Sequence, residues 1–173
     1  MTPLNLDDDD TLTPLAAALG EALRVQDWCL ATAESCTGGG IAAAVTDIPG
    51  SSAWFDRGFV TYSNEAKQAM LGVQTETLAR HGAVSEETAR EMALGALANS
   101  LAQVAVAVTG VAGPGGGSVE KPVGTVCFGY ARRDGASCTR RHVFPGDRAA
   151  VRCQTVATAL AGLIAIAEGR EPR

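Results

Sequence analysis

Residues 104–109 read VAVAVT, a continuous apolar run rich in β-branched side chains. A strand with one wet face alternates apolar and polar residues, whereas an unbroken apolar run marks a strand covered on both faces. Working upstream, Ser85-Glu86-Glu87 opens a helix with a capping hydroxyl and two acids in its first turn. Its buried stripe is expected at Ala89, Met92, Ala93, Ala96, Leu97 and Leu101. Before it come short helices over about 64–71 and 74–80, a strand over 56–62, a helix carrying Ile41, Ala42 and Val45, and a strand over 28–33. A first amphipathic helix is expected to end near Gln26, with Thr13 as its cap and Pro14 at its first helical position. Downstream, strands over 124–130 and 139–144 flank Asp134-Gly135, a hairpin signal that makes the pair antiparallel. Gly146-Asp147 then caps a last helix with a stripe of Val156, Ala159, Leu160, Leu163, Ile164 and Ala167. Helices alternating with buried strands predict an α/β chain, a three-layer α/β/α single domain with a mixed, mostly parallel sheet. The domain is expected over 12–168, after an acidic mobile tail at 1–11 and before a short tail at 169–173.

Composition narrows the function classes. The chain has 173 residues, enough to bury roughly 70% of its unfolded surface without metal or disulfides. A net charge of −5 and scarce aromatic residues argue against nucleic acid as a partner. No apolar run reaches the length of a membrane span, and MTPLNLDDDD lacks the basic and apolar regions of a signal peptide. Five cysteines without CxxC or histidine spacing read as reduced thiols, so a cytoplasmic location without a metal centre is expected. Apolar helices such as the last leave a face for a second copy, and a homo-oligomer is expected.

The chemistry concentrates in AESCTGGG, residues 33–40, directly after the first strand. Gly38 to Gly40 at a helix start can present backbone N–H groups to an anion, yet neither GxxxxGK[ST] nor a spaced GxGxxG is present. The same stretch can serve as a plain tight turn, or Ser35 or Cys36 can act there as a nucleophile beside N–H donors. Neither His81 nor His142 has an acid partner in sequence, so the base of a serine triad is not legible. Lys67 and Lys121 are the only lysines, and either can deprotonate a serine if burial strips its proton. Lys67 follows a strand with Tyr62 close by. A second Gly-rich stretch, TGVAGPGGGS at 109–118, follows the most buried strand, where ligands gather in open α/β sheets, though a flexible surface loop fits as well. Arg148 at the start of the last helix suits a monoester phosphate, and Asp147 beside it suits a plain helix cap.

Taken together, AESCTGGGIAAAVTDIPGSSAWFDRGFVTYSNEAKQAMLGV, GAVSEETAREMA and TGVAGPGGGSVEKPVGTVCFG resemble the CinA C-terminal domain family, the PncC-type nicotinamide-nucleotide amidases. The resemblance covers about Leu15 to Leu163. It implies a metal-free, cofactor-free hydrolysis of the carboxamide of nicotinamide mononucleotide, a small pyridine nucleotide, and it carries the catalytic serine, tyrosine and lysine onto Ser35, Tyr62 and Lys67. On that reading Cys36, Thr37, Gly38 and Gly39 surround the oxyanion, Thr109, Gly110 and Gly113 belong to a loop over the nucleotide, and Arg148 meets the phosphate. A nucleotide-binding regulatory module without catalysis, or an amidase for another small carboxamide, remains the alternative.

Overall fold

In a computed structural model of the chain, which describes residues 11–173, the VAVAVT run is the central strand of a five-stranded sheet. The elements are α1 (Leu12–Gln26), β1 (Leu30–Glu34), α2 (Gly40–Thr46), β2 (Phe55–Val60), α3 (Asn64–Leu71), α4 (Thr75–His81), α5 (Glu86–Ala98), β3 (Val104–Gly110), β4 (Thr125–Arg132), β5 (Ser137–Val143) and α6 (Arg148–Ala167). The strand order is β2-β1-β3-β4-β5. β1 pairs in parallel with β2 and with β3, while β4 runs antiparallel to β3 and to β5. Four strands therefore point one way and β4 alone opposes them, the mixed α/β/α sheet the sequence predicts. The acidic segment before Thr11 lies outside the described residues.

The two faces of β3 show why the run must be apolar throughout. Val104, Val106 and Val108 face the core made with α1, α2 and α6, whereas Ala105 and Ala107 face α5. Small residues on the α5 side let that helix lie close to the sheet. Gly129 of β4 extends this: a Cβ there would come 2.2 Å from the Ala89 carbonyl oxygen. Gly95 does the same for α3, since its Cβ would meet the Leu71 carbonyl oxygen at 1.9 Å. Helix propensity favours Ala over Gly by about 1 kcal/mol, but that gain is smaller than the cost of driving α3 and α5 apart. Gly95→Ala is therefore expected to lower the unfolding free energy by at least about 2 kcal/mol, read from urea melts.

Most helix signals hold. Ser85 Oγ accepts the Thr88 N–H at 3.1 Å, and Asp147 Oδ1 accepts that of Ala150 at 2.9 Å, so both caps form as the sequence predicts. The Asp134-Gly135 turn, with Gly135 at φ +96°, joins β4 to β5. Boundaries shift by one or two residues at several elements, and three differences have a local cause. α1 starts at Leu12, ahead of the expected Thr13 cap, and Pro14 falls in the first turn, where its missing N–H has no intrahelical partner to lose. β1 starts at Leu30 because Asp27, at φ 56°, turns the chain out of α1 first. Leu101 is exposed rather than buried, because α5 ends at Ala98 and the chain then leaves the core. α6 is the one helix among the described residues long and apolar enough to cross a membrane, and half of it is buried in this domain.

Candidate active site

The three parallel strands place their carboxyl ends together, and the chain moves from β1 to β2 on one side and later to β3 on the other. The connection through α2 lies on one face of the sheet and the connection through α3, α4 and α5 on the opposite face. The β1/β3 junction is thus a switch point, which in open α/β sheets leaves a crevice beyond the strand ends. Ser35 follows β1, Tyr62 follows β2, and Thr109 and Gly110 end β3, so all four reach this crevice.

The turn after β1 is built on Glu34, a residue the sequence reading passed over. Its side chain is fully buried. Oε1 accepts the Thr37 hydroxyl and the Ile41 N–H, each at 2.7 Å, and Oε2 accepts the Ala42 N–H at 3.0 Å and the Thr32 hydroxyl at 3.4 Å. Donors at the start of α2 are thereby tied to the last residue of β1, which fixes the path of the residues between. The Gly38 N–H returns to the Ser35 carbonyl at 3.0 Å, and Gly38 and Gly39 sit at φ +58° and +100°, backbone conformations that glycine adopts without strain. Thr37 turns its side chain towards Glu34, away from the crevice. An acid ending an otherwise apolar strand was the available signal, since acids are seldom fully buried without partners.

Lys67 lies one turn into α3, whose start Ser63 caps by accepting the Ala66 N–H at 3.0 Å. Its side chain runs back towards the helix N-terminus, as helical side chains do. Lys67 is 2% exposed, and its Nζ lies 3.0 Å from Ser35 Oγ while donating to the Thr61 carbonyl at 2.9 Å. Burial lowers the Lys67 amine below the ordinary lysine value of 10.5. A neutral amine here can give one N–H to Thr61 and accept the Ser35 hydroxyl proton with its lone pair. The other lysine is excluded from this role: Lys121 Nζ donates to the His81 carbonyl at 2.6 Å, outside the crevice. Neither histidine lines the crevice. His81 approaches Glu87 at 3.6 Å, and His142 sits among Phe128 and Phe144.

The neighbouring thiol is a different case. Burial pushes the Cys36 thiol up to about 11, so it keeps its proton at neutral pH, whereas Ser35 has an amine within hydrogen-bonding distance.

The crevice encloses about 260 Å³ and brings together Ser35, Cys36, Tyr62, Lys67, Thr109, Gly110 and Arg148. Tyr62 lines the crevice from its solvent side. It is 62% exposed, and its hydroxyl accepts from Arg148 Nη2 at 2.9 Å rather than meeting Lys67 or Ser35. Arg148 also donates through Nη1 to the Gly113 carbonyl at 2.8 Å, which fastens the second Gly-rich loop. Gly113, Thr37, Gly38 and Gly39 therefore shape the walls from outside, through turns and carbonyls. Asn64, Ala83 and Val84 line the crevice without having been expected, and the Thr109 hydroxyl holds the Ala83 carbonyl at 2.8 Å. Among the described residues no three His, Cys, Asp or Glu side chains cluster.

Residues 12–167 of this α/β/α chain fit the CinA C-terminal domain, and the chain belongs to that family. Some of its relatives carry a more specific name. The chain is 58% identical over 152 residues to the nicotinamide-nucleotide amidohydrolase PncC of Escherichia coli (strain K12), covering 88% of this chain and 92% of that protein. It is 54% identical over 156 residues to the protein of the same name from Pseudomonas putida, covering 90% and 96%. The crystal structure of the competence/damage inducible protein CihA from Agrobacterium tumefaciens superposes with a TM-score of 0.87 at 52% identity, covering 90% of this chain and 94% of that one.

Proposed function

We propose that the chain hydrolyses the carboxamide of nicotinamide mononucleotide to nicotinate mononucleotide and ammonia. The observation that carries this reading is the 3.0 Å approach of the buried Lys67 Nζ to Ser35 Oγ, in a family whose relatives are named for that activity. Neutral Lys67 takes the Ser35 proton as Oγ attacks the amide carbon. The developing oxyanion is assigned to the start of the 36–39 turn, where Cys36 lines the crevice beside Ser35 and the Gly38 N–H is already on the Ser35 carbonyl. Lys67 then hands its proton to the departing nitrogen, releasing ammonia and leaving an ester on Ser35. Water, deprotonated by the same amine, cleaves the ester and returns the hydroxyl. The Thr61 carbonyl holds the amine in line throughout.

The family resemblance counts Tyr62 among the catalytic groups. With its hydroxyl on Arg148, Tyr62 is assigned here to the mouth of the crevice, with Thr109 and Gly110 on the opposite wall. Five unpaired thiols support a cytoplasmic location.

The test is to incubate the pure protein with nicotinamide mononucleotide, with and without a chelator, and assay ammonia. Release that the chelator leaves unchanged is expected. Nucleotide binding without ammonia release would replace this reading with a regulatory module, and equal rates on free nicotinamide would make the protein a general carboxamide amidase.

A further inference from the structure

A second compartment of about 630 Å³ adjoins the Ser35 crevice, and Ala112 and Arg148 stand in the walls of both. Arg148 and Arg152, four residues apart on α6 and so on one face of it, both border this compartment. Of the twelve arginines, Arg24, Arg57, Arg132, Arg140 and Arg170 each meet a carboxylate, and Arg80, Arg90, Arg133, Arg141 and Arg173 form no ion pair among the described residues. Among the described residues Arg148 and Arg152 meet none.

The two guanidinium groups are not equivalent. Arg148 has both terminal nitrogens engaged, Nη1 on the Gly113 carbonyl and Nη2 on the Tyr62 hydroxyl. Arg152 spends only Nη2, on the Thr37 carbonyl at 3.0 Å, which leaves its Nε and Nη1 N–H groups as donors for an anion. Asp147 adds a negative charge at the tip of α6, beside Arg148, with Oδ1 already on the Ala150 N–H. An anion is therefore disfavoured at the helix tip and favoured one turn further on.

We infer that Arg152 holds the phosphate monoester of the substrate in this second compartment, while Arg148 fastens the passage between the phosphate and the carboxamide. The inference rests on the mononucleotide reading above. It divides the substrate between two rooms: the carboxamide and ring at Ser35, the phosphate beside α6. It also moves the phosphate contact from Arg148, which the sequence suggested, to a residue the sequence reading did not single out.

The experiment compares ammonia release from nicotinamide mononucleotide and from its nucleoside, nicotinamide riboside, by the wild type, Arg152→Gln and Arg152→Lys. The wild type is expected to prefer the mononucleotide. Arg152→Gln should lose roughly 10- to 100-fold in kcat/KM on the mononucleotide, chiefly in KM, and several-fold less on the riboside. Arg152→Lys, which keeps the charge without the fork, should recover part of the loss. Equal losses on both compounds would overturn the inference and leave Arg152 as a tether of the 35–39 turn through Thr37; no loss on either would overturn it as well. A wild type inactive on both compounds defeats the proposed function itself, whereas an active wild type with an indifferent Arg152 defeats only the phosphate site.

Discussion

Ser35→Ala is expected to lower ammonia release from nicotinamide mononucleotide by roughly 10⁴-fold or more while leaving the fold intact. The substitution removes one oxygen, and the backbone of the turn does not depend on it. The 35–40 segment is held by Glu34, by the Gly38 N–H on the Ser35 carbonyl and by Arg152 on the Thr37 carbonyl, none of which involves Ser35 Oγ. Circular dichroism and the melting temperature should therefore change little. The companion measurement is Cys36→Ala, whose loss should be smaller by orders of magnitude, because a thiol pushed to about 11 supplies almost no thiolate near neutrality. A Ser35→Ala protein that still turns over, beside an inactive Cys36→Ala protein, would transfer the nucleophile to the thiol.

Lys67→Met is expected to reduce kcat by about 10²- to 10⁴-fold, the range a positioned general base contributes. The loss should appear in kcat rather than KM, since Nζ faces Ser35 Oγ rather than the mouth of the crevice. The pH profile gives the sharper readout. Only the neutral amine can accept the Ser35 proton, so wild-type activity should rise with pH through an ionisation lying below 10.5, and Lys67→Met should erase that limb. Stability follows the same sign. Between the lowered folded value and the ordinary unfolded one, the unfolded chain binds more protons, so wild-type stability rises with pH and falls as acid forces a proton onto the buried amine. Met fills the same space without a charge to desolvate, and urea melts of the variant should lack this component. A variant with wild-type kcat and an unchanged profile would remove Lys67 from the mechanism.

How much of this could be read without coordinates depends on the kind of signal. VAVAVT announces a strand covered on both faces because burial is written residue by residue. Ser85 and Asp147 announce helix starts because a cap and its N–H lie three residues apart, within reach of local sequence. The Ser35–Lys67 pair is of another kind. Its members are 32 residues apart, and no local rule distinguishes Lys67 from Lys121 as the partner. The family resemblance named Lys67, and the geometry supplies the physical reason: α3 begins immediately beyond β2 and aims its first-turn side chains back beneath the end of β1.

The same division applies to the residues that sequence reasoning missed or left without partners. Glu34 drew no reading of its own from the sequence, yet its full burial against four donors makes it the fastening of the whole turn. Tyr62 is counted among the catalytic groups by resemblance, while the contact of its hydroxyl with Arg148 is legible only in the structure. Arg152 drew no reading from the sequence, yet it reaches across to Thr37, 115 residues away in the chain. By itself the sequence determined the α/β/α layering, the order of elements, the helix caps and the Gly-rich turns, because these follow from periodicity and short-range hydrogen bonds. Which side chains face one another across the crevice was decided only in three dimensions. Strand order and the α3 and α6 approaches set those distances, and both arise from the packing of distant segments around one sheet.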